Sequence, residues 1–272
     1  MEKSRELLKN ANRVVIKIGT SSLTYENGHT NLNRIGKLSR VICDLVNQGK
    51  EIILVSSGAI GIGIDRLKLP ERPKQVSEKQ AVAAVGQLAL MNIYERFFSE
   101  FSQIIAQVLL TKDVTTGEEK RKNVVNTFNE LLKLKTVPIV NENDTVAVDE
   151  IKFGDNDYLS YVVASLVKAD LLIILTDTDG FYDKNPRDFE DAMLLHTITD
   201  LSEKIEALAG GAGTSFGTGG MLTKVHASRL AAEEGISAVI ANGKDPDIIY
   251  NILDGDEIGT FFTPDCKERN DK

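Results

Sequence analysis

The chain has 272 residues, 42% of them apolar and 26% charged, with a formal net charge of -8 at pH 7. That is enough chain to bury a full core in one large domain or two small ones, and its acidic balance argues against a general attraction to phosphate polymers, so no nucleic-acid partner is expected. Cys43 and Cys266 form no CxxC or Cys/His cluster, MEKSRELLKNANR lacks a signal-peptide apolar run, and no apolar stretch reaches about 18 residues, so no disulfide framework, structural zinc site or membrane span is expected and a reduced cytoplasm is indicated.

In chain order, RVVIKIG (13–19) reads as a strand. Leu32, Ile35, Leu38, Ile42, Leu45 and Val46 then recur at helical spacing, and Gly49 stops that helix. EIILVS (51–56) and QIIAQVLL (103–110) are the next strands. Val124, Val125, Phe128, Leu131 and Leu132 mark a helix before the strand VPIV (137–140). Tyr158, Leu159, Val162, Val163, Leu166 and Val167 mark another before DLLIILT (170–176), and ISAVIANG (236–243) gives a late strand and turn. The strands are apolar nearly throughout, as befits strands covered on both faces. The repeated strand–helix–strand order predicts an α/β chain, a three-layer αβα sandwich around a mainly parallel sheet. No repeat or long linker is visible, which suggests a single domain over 1–272. Any division into lobes of about 1–168 and 169–265 falls where the motifs change character, near 168–176.

In an open parallel sheet, ligands bind beyond the carboxyl ends of the strands. The segments there are GTSS, SSGA, TKD, NEND and TDTDG, all small, polar or charged. The stretch SFGTGGMLTKVHAS (215–228) adds a glycine-rich run shortly before Lys224, at a helix start. It reads either as a flexible surface loop or as a phosphate cradle, in which glycine N–H groups and a helix N-terminus meet phosphate oxygens. A Walker A loop is excluded, because none of Gly36-Lys37, Gly49-Lys50 and Gly243-Lys244 is followed by Ser or Thr. A dinucleotide fingerprint is excluded too: the first strand ends in GTSSL, and GAIGIG (58–63) has the wrong spacing.

Lys17 interrupts an apolar strand. Either it snorkels from an edge strand or it meets an anionic partner, since a charge is expensive there without one. Asp155 and Asp157 in GDND either cap the helix starting near Tyr158 or serve a site at the sheet's carboxyl edge. Asn141, Glu142 and Asn143 are open to a turn reading after VPIV, which is preferred for Asn141. His29, His196 and His226 stand beside no candidate nucleophile and read as surface or packing residues.

IKIGTSSL, VSSGAIGIG, NENDTV, FGDND, LTDTDGFYDKNPR and GTGGMLTK, in that order over roughly residues 12–262, resemble the amino acid kinase family and within it the glutamate-phosphorylating branch. The resemblance implies the amino acid kinase fold, ATP as co-substrate with Mg²⁺ bridging its phosphates, and L-glutamate as the acceptor, phosphorylated on its side-chain carboxylate in the first step of proline biosynthesis. It implies Lys17 and Lys224 as catalytic residues held in place by Asp157. Ser57, Gly58, Asp144, Asp155 and Asn156 become substrate contacts. Lys17, Thr176, Asp177, Thr218, Gly219, Gly220, Met221, Leu222, Thr223 and Lys224 become the ATP site. The sequence shows no dedicated metal cage, in keeping with Mg²⁺ carried mostly by nucleotide and water. A homo-oligomer and feedback inhibition by L-proline are further family expectations. Many bacterial members carry a C-terminal PUA domain, for which this chain is expected to be too short. Two other readings are a relative with a different small acceptor and a non-catalytic amino-acid or nucleotide sensor. A sensor is expected to have lost a lysine or an acidic site residue, yet Lys17, Lys224, Asp144 and Asp157 are all present.

Overall fold

A computed structural model of the protein describes residues 2–111, 114, 117–146, 156–210 and 220–265. Helix α1 (Glu2–Lys9) leads into β1 (Arg13–Ile18), the short α2 (Thr20–Leu23), α3 (Leu32–Asn47) and β2 (Glu51–Ser56). Then come α4 (Ala59–Leu67), α5 (Val76–Ser99), β3 (Ile105–Leu110), α6 (Glu118–Lys133), β4 (Val137–Glu142), α7 (Asn156–Leu166) and β5 (Leu171–Thr176). The described chain closes with β6 (Thr197–Ile198), α8 (Lys204–Ala209), α9 (Met221–Glu233), β7 (Ser237–Asn242), α10 (Ile248–Leu253) and β8 (Thr260–Phe262).

The strands form one sheet in the order β3-β4-β2-β1-β5-β7-β8-β6. Neighbours from β3 to β7 pair in parallel, and β8 turns antiparallel against β7. Successive strand side chains point to opposite faces. Val14, Ile16 and Ile18 accordingly pack with α1, α3, α5 and α10, whereas Val15 packs with Val162 and Val163 of α7 and Val225 of α9. Two apolar layers, one on each face, explain why the central strands carry no polar alternation.

Local signals set the helix ends. The Asn31 side chain accepts from the Arg34 N–H at the start of α3, and Gly49 takes φ 95° after its end. Helices α4 and α5 lie backbone to backbone: a Cβ on Gly63 would stand 2.2 Å from the Val82 carbonyl oxygen, and one on Gly86 1.7 Å from that of Ala59. Of the glycines of GAIGIG, Gly63 thus serves the packing of α4 on α5.

Several expectations need correction. The third strand starts at 105 rather than 103, and β4 runs past 140 to Glu142. Asn141 is therefore the buried penultimate residue of β4 and not a turn residue. Lys17 does not sit on an edge, because β1 lies between β2 and β5. Among the described residues no helix is long and apolar enough to cross a membrane.

Candidate active site

Parallel pairing brings the carboxyl ends of six strands to one edge of the sheet. Ile18 stands opposite Ser56 and Leu175, Leu109 opposite Asn141, and Thr176 opposite Asn242. Lys17 shares a face with Val15, the face covered by α7 and α9; α7 sends Asp157 to meet it, and α9 sends Lys224 to the same carboxylate.

Asp157, second in α7, is 0% exposed, and Lys17 and Lys224 are 4% and 6% exposed. Lys17 Nζ lies 2.5 Å from Asp157 Oδ1, an ion pair off hydrogen-bond geometry. Lys224, fourth in α9, donates to Oδ2 at 3.0 Å. The Thr223 hydroxyl lies 2.9 Å from Oδ2 and 2.7 Å from the Gly220 carbonyl, with one proton to give to either. A Cβ on Gly19 would come 3.6 Å from Lys17 Nζ, so the chain leaving β1 passes close over this ammonium.

Stability alone does not favour such a cluster. Stripping each ion of water costs several kcal/mol, and a buried pair often does no better than an apolar replacement. By count of the three side chains, two positive charges share one negative charge. That ratio suits chemistry in which anions must be brought together.

A neutral polar cluster adjoins the triad. Asn156, the residue before Asp157, donates through Nδ2 to Ser57 Oγ at 2.9 Å and to Asn141 Oδ1 at 2.8 Å. Asn141 Nδ2 donates in turn to Gln87 Oε1 at 2.8 Å. Asn156 Oδ1 is buried with no partner among the described residues. Ser57 follows β2, its N–H bonded to the Ile18 carbonyl. Gly58 takes φ 105°, a left-handed conformation that starts α4 and that a side chain would strain. Asp144 lies in the turn after β4.

Thr176 is buried at the end of β5, its hydroxyl 3.2 Å from Asp177 Oδ1. Asp177 pairs with Arg187 at 3.2 Å on the surface. Both residues border a cleft of about 560 Å³, also lined by Tyr25, Arg34, Asn242 and Lys244. The triad does not line it, so the cleft and the triad share only this edge of the sheet. Gly220 precedes α9, and Met221, Leu222 and Thr223 form its first turn with Lys224. Asp155, Thr218 and Gly219 lie outside the described residues. His29 and His226 bond Asp65 and Glu206 at the surface, and His196 lies 4.0 Å from Glu257.

Sequence reasoning missed Gln87 and the buried role of Asn141. Both are uncharged amides whose contact depends on how α4 and α5 pack, and no local pattern marks them.

Residues 12–242 match the amino acid kinase family. The chain is 55% identical over 262 residues to a glutamate 5-kinase of Clostridium perfringens (strain 13 / Type A), covering 95% of this chain and 97% of that protein. It is 54% identical to a glutamate 5-kinase of Ligilactobacillus salivarius (strain UCC118), covering 94% and 97%. Among solved structures, a UMP kinase from Bacillus anthracis superposes with a TM-score of 0.62 at 15% identity, over 94% of this chain and 97% of that one. An isopentenyl phosphate kinase from T. acidophilum gives a TM-score of 0.60 at 19% identity, over 92% and 99%. At such identities the two structures support the fold alone.

Proposed function

The chain belongs to the amino acid kinase family, and on that footing we propose how the buried triad serves its reaction. The reaction transfers the γ-phosphoryl group of ATP to the γ-carboxylate of L-glutamate, giving L-glutamyl 5-phosphate for proline biosynthesis. A carboxylate with an ordinary pKa of about 4.3 is ionised at neutral pH and needs no general base. One of its oxygens bonds to the γ-phosphorus as the bond from that phosphorus to the β–γ bridging oxygen breaks, and ADP leaves. The obstacle is repulsion between two anions, so positioning and positive charge carry the catalysis.

The observation that carries this assignment is the meeting of Lys17 and Lys224 on the two oxygens of Asp157. In our reading the two ammonium groups hold the phosphates from opposite sides, and Asp157 fixes both in place. Ser57, Gly58, Asp144, Asp155 and Asn156 bind glutamate. Thr176, Asp177 and residues 218–224 bind ATP. The cleft beside Thr176 and Asp177 falls within the volume range of small-molecule pockets, roughly 300–1,000 Å³. Residues of about 1–168 are proposed to supply the acceptor side and those of about 169–265 the nucleotide side, with Lys17 reaching the phosphates and Tyr25 and Arg34 reaching the cleft from the first part. Mg²⁺ is proposed to travel with the ATP phosphates, with nucleotide and water supplying most of its ligands. A homo-oligomer and competition by L-proline, which shares part of glutamate's outline, complete the proposal.

The test is ATP consumption with and without L-glutamate and Mg²⁺, with hydroxylamine trapping the acyl phosphate. Glutamate-dependent hydroxamate is the expected product. ATP turnover that ignores glutamate, or none at all, overturns the reading.

A further inference from the structure

The amide cluster beside the triad has a direction, and the main chain sets it. The Glu142 backbone N–H donates to Asn141 Oδ1 at 2.9 Å. A backbone donor cannot be flipped, so Asn141 must present its oxygen there and its Nδ2 on the other side. Nδ2 meets Gln87 Oε1 at 2.8 Å. The same Asn141 oxygen receives Asn156 Nδ2, which also holds Ser57 Oγ. Each amide N–H therefore donates a hydrogen bond to the oxygen of the next, from Asn156 to Asn141 to Gln87.

Both ends of the relay are left open. Asn156 Oδ1 and Gln87 Nε2 are buried without partners among the described residues. A buried orphan donor is a feature native proteins generally avoid, and turning the Gln87 amide would set its NH₂ against the NH₂ of Asn141. The backbone enforces the placement. Gly86, immediately before Gln87, lets α5 press onto α4 so closely that no Cβ fits. The fold thus brings Gln87 to the carboxyl end of β4 and accepts an unpartnered donor there, keeping an acceptor on Asn141.

We infer that Gln87 is a positioning residue for the amino-acid substrate. It anchors Asn141, and through it holds Asn156 and Ser57 in the orientation that receives glutamate. It touches neither the triad nor the cleft beside Thr176. Its effect therefore falls on acceptor binding rather than on phosphoryl transfer. This inference rests on glutamate as the acceptor.

The test is Gln87→Met, which keeps the volume and removes the acceptor. Loss of one partner in a buried chain leaves Asn141 Nδ2 unsatisfied, and KM for L-glutamate is expected to rise on the order of tenfold or more. KM for ATP and kcat should stay within about twofold. In Gln87→Met/Ser57→Ala the two KM penalties should fail to multiply, because both act on Asn156. Gln87→Leu carries the same expectation should the methionine variant not fold. A folded variant with unchanged KM for glutamate, or with KM for ATP raised equally, overturns the inference. Wild-type protein inactive on glutamate would instead sink the acceptor assignment, so the two failures are distinguishable.

Discussion

Lys17 Nζ stands 2.5 Å from Asp157 Oδ1 on a strand flanked on both sides, with its side chain only 5% exposed. Asp157 carries this contact and the one to Lys224, so removing its charge leaves two ammonium groups beside each other. Asp157→Asn should destabilise the fold by roughly 3–5 kcal/mol, the usual penalty for breaking a buried ion pair from one side. For a chain of this size that is a fall in Tm of roughly 6–20 °C. Differential scanning calorimetry checks it, and an unchanged Tm would show that the carboxylate does not hold the lysines.

The lysines themselves should separate activity from stability. Lys224→Ala removes one of two cations while Asp157 keeps the other. Its kcat should fall about 10²–10³-fold, as when one preorganised donor is taken from a site where charge moves. Circular dichroism should still report the helical content of the parent. A purified, folded Lys224→Ala enzyme with near-normal kcat in the hydroxamate assay contradicts the role given to this residue.

The residues that could be read in the sequence broke a pattern. Lys17 was legible because a charge inside VVIKI needs a reason, and the central strands were legible because they are apolar on both faces. Helix α5 escaped notice for the opposite cause. Its Val85 and Leu88 are exposed, which blurs the helical period of the buried Val82, Gly86, Leu90, Tyr94 and Phe98. Asn after an apolar run usually signals a turn; here Asn141 stays in the strand, buried, and its side chain bonds both the next backbone N–H and Gln87 of α5. That contact joins α5 to β4 and could not be seen before the packing of α4 on α5 was known.

Gly86 tests that packing directly. A methyl group there would lie 1.7 Å from the Ala59 carbonyl oxygen and 2.6 Å from the Gly63 nitrogen, both backbone atoms. Neither can rotate away, so the two helices must part. Gly86→Ala should lose on the order of 3 kcal/mol or more. Gly28→Ala is the control: φ is 84° but nothing lies within 4 Å of the new methyl, so only the left-handed backbone penalty of about 1–2 kcal/mol applies. Urea melts that rank the two equally would remove the case for a close α4–α5 contact.

Helix α9 carries Lys224, and Glu206 of α8 ties that helix down. Its Oε1 accepts from Arg229 Nε at 2.5 Å and lies 2.9 Å from His226 Nδ1. Burial pushes the Glu206 carboxyl upward, but the bonds from His226 and Arg229 outweigh it and hold the group below its ordinary value. A carboxyl depressed in the folded state contributes stability that is fully present above its unfolded value, about 4.3, and is lost as pH falls toward and through the folded value. Glu206→Gln should therefore melt below the parent at neutral pH, with a gap that holds down to about pH 5 and closes in more acidic buffer. Thermal melts of both proteins across that range decide it. A gap that stays constant into strong acid would mean that shape, and not the ionised carboxylate, is what fastens α8 to α9.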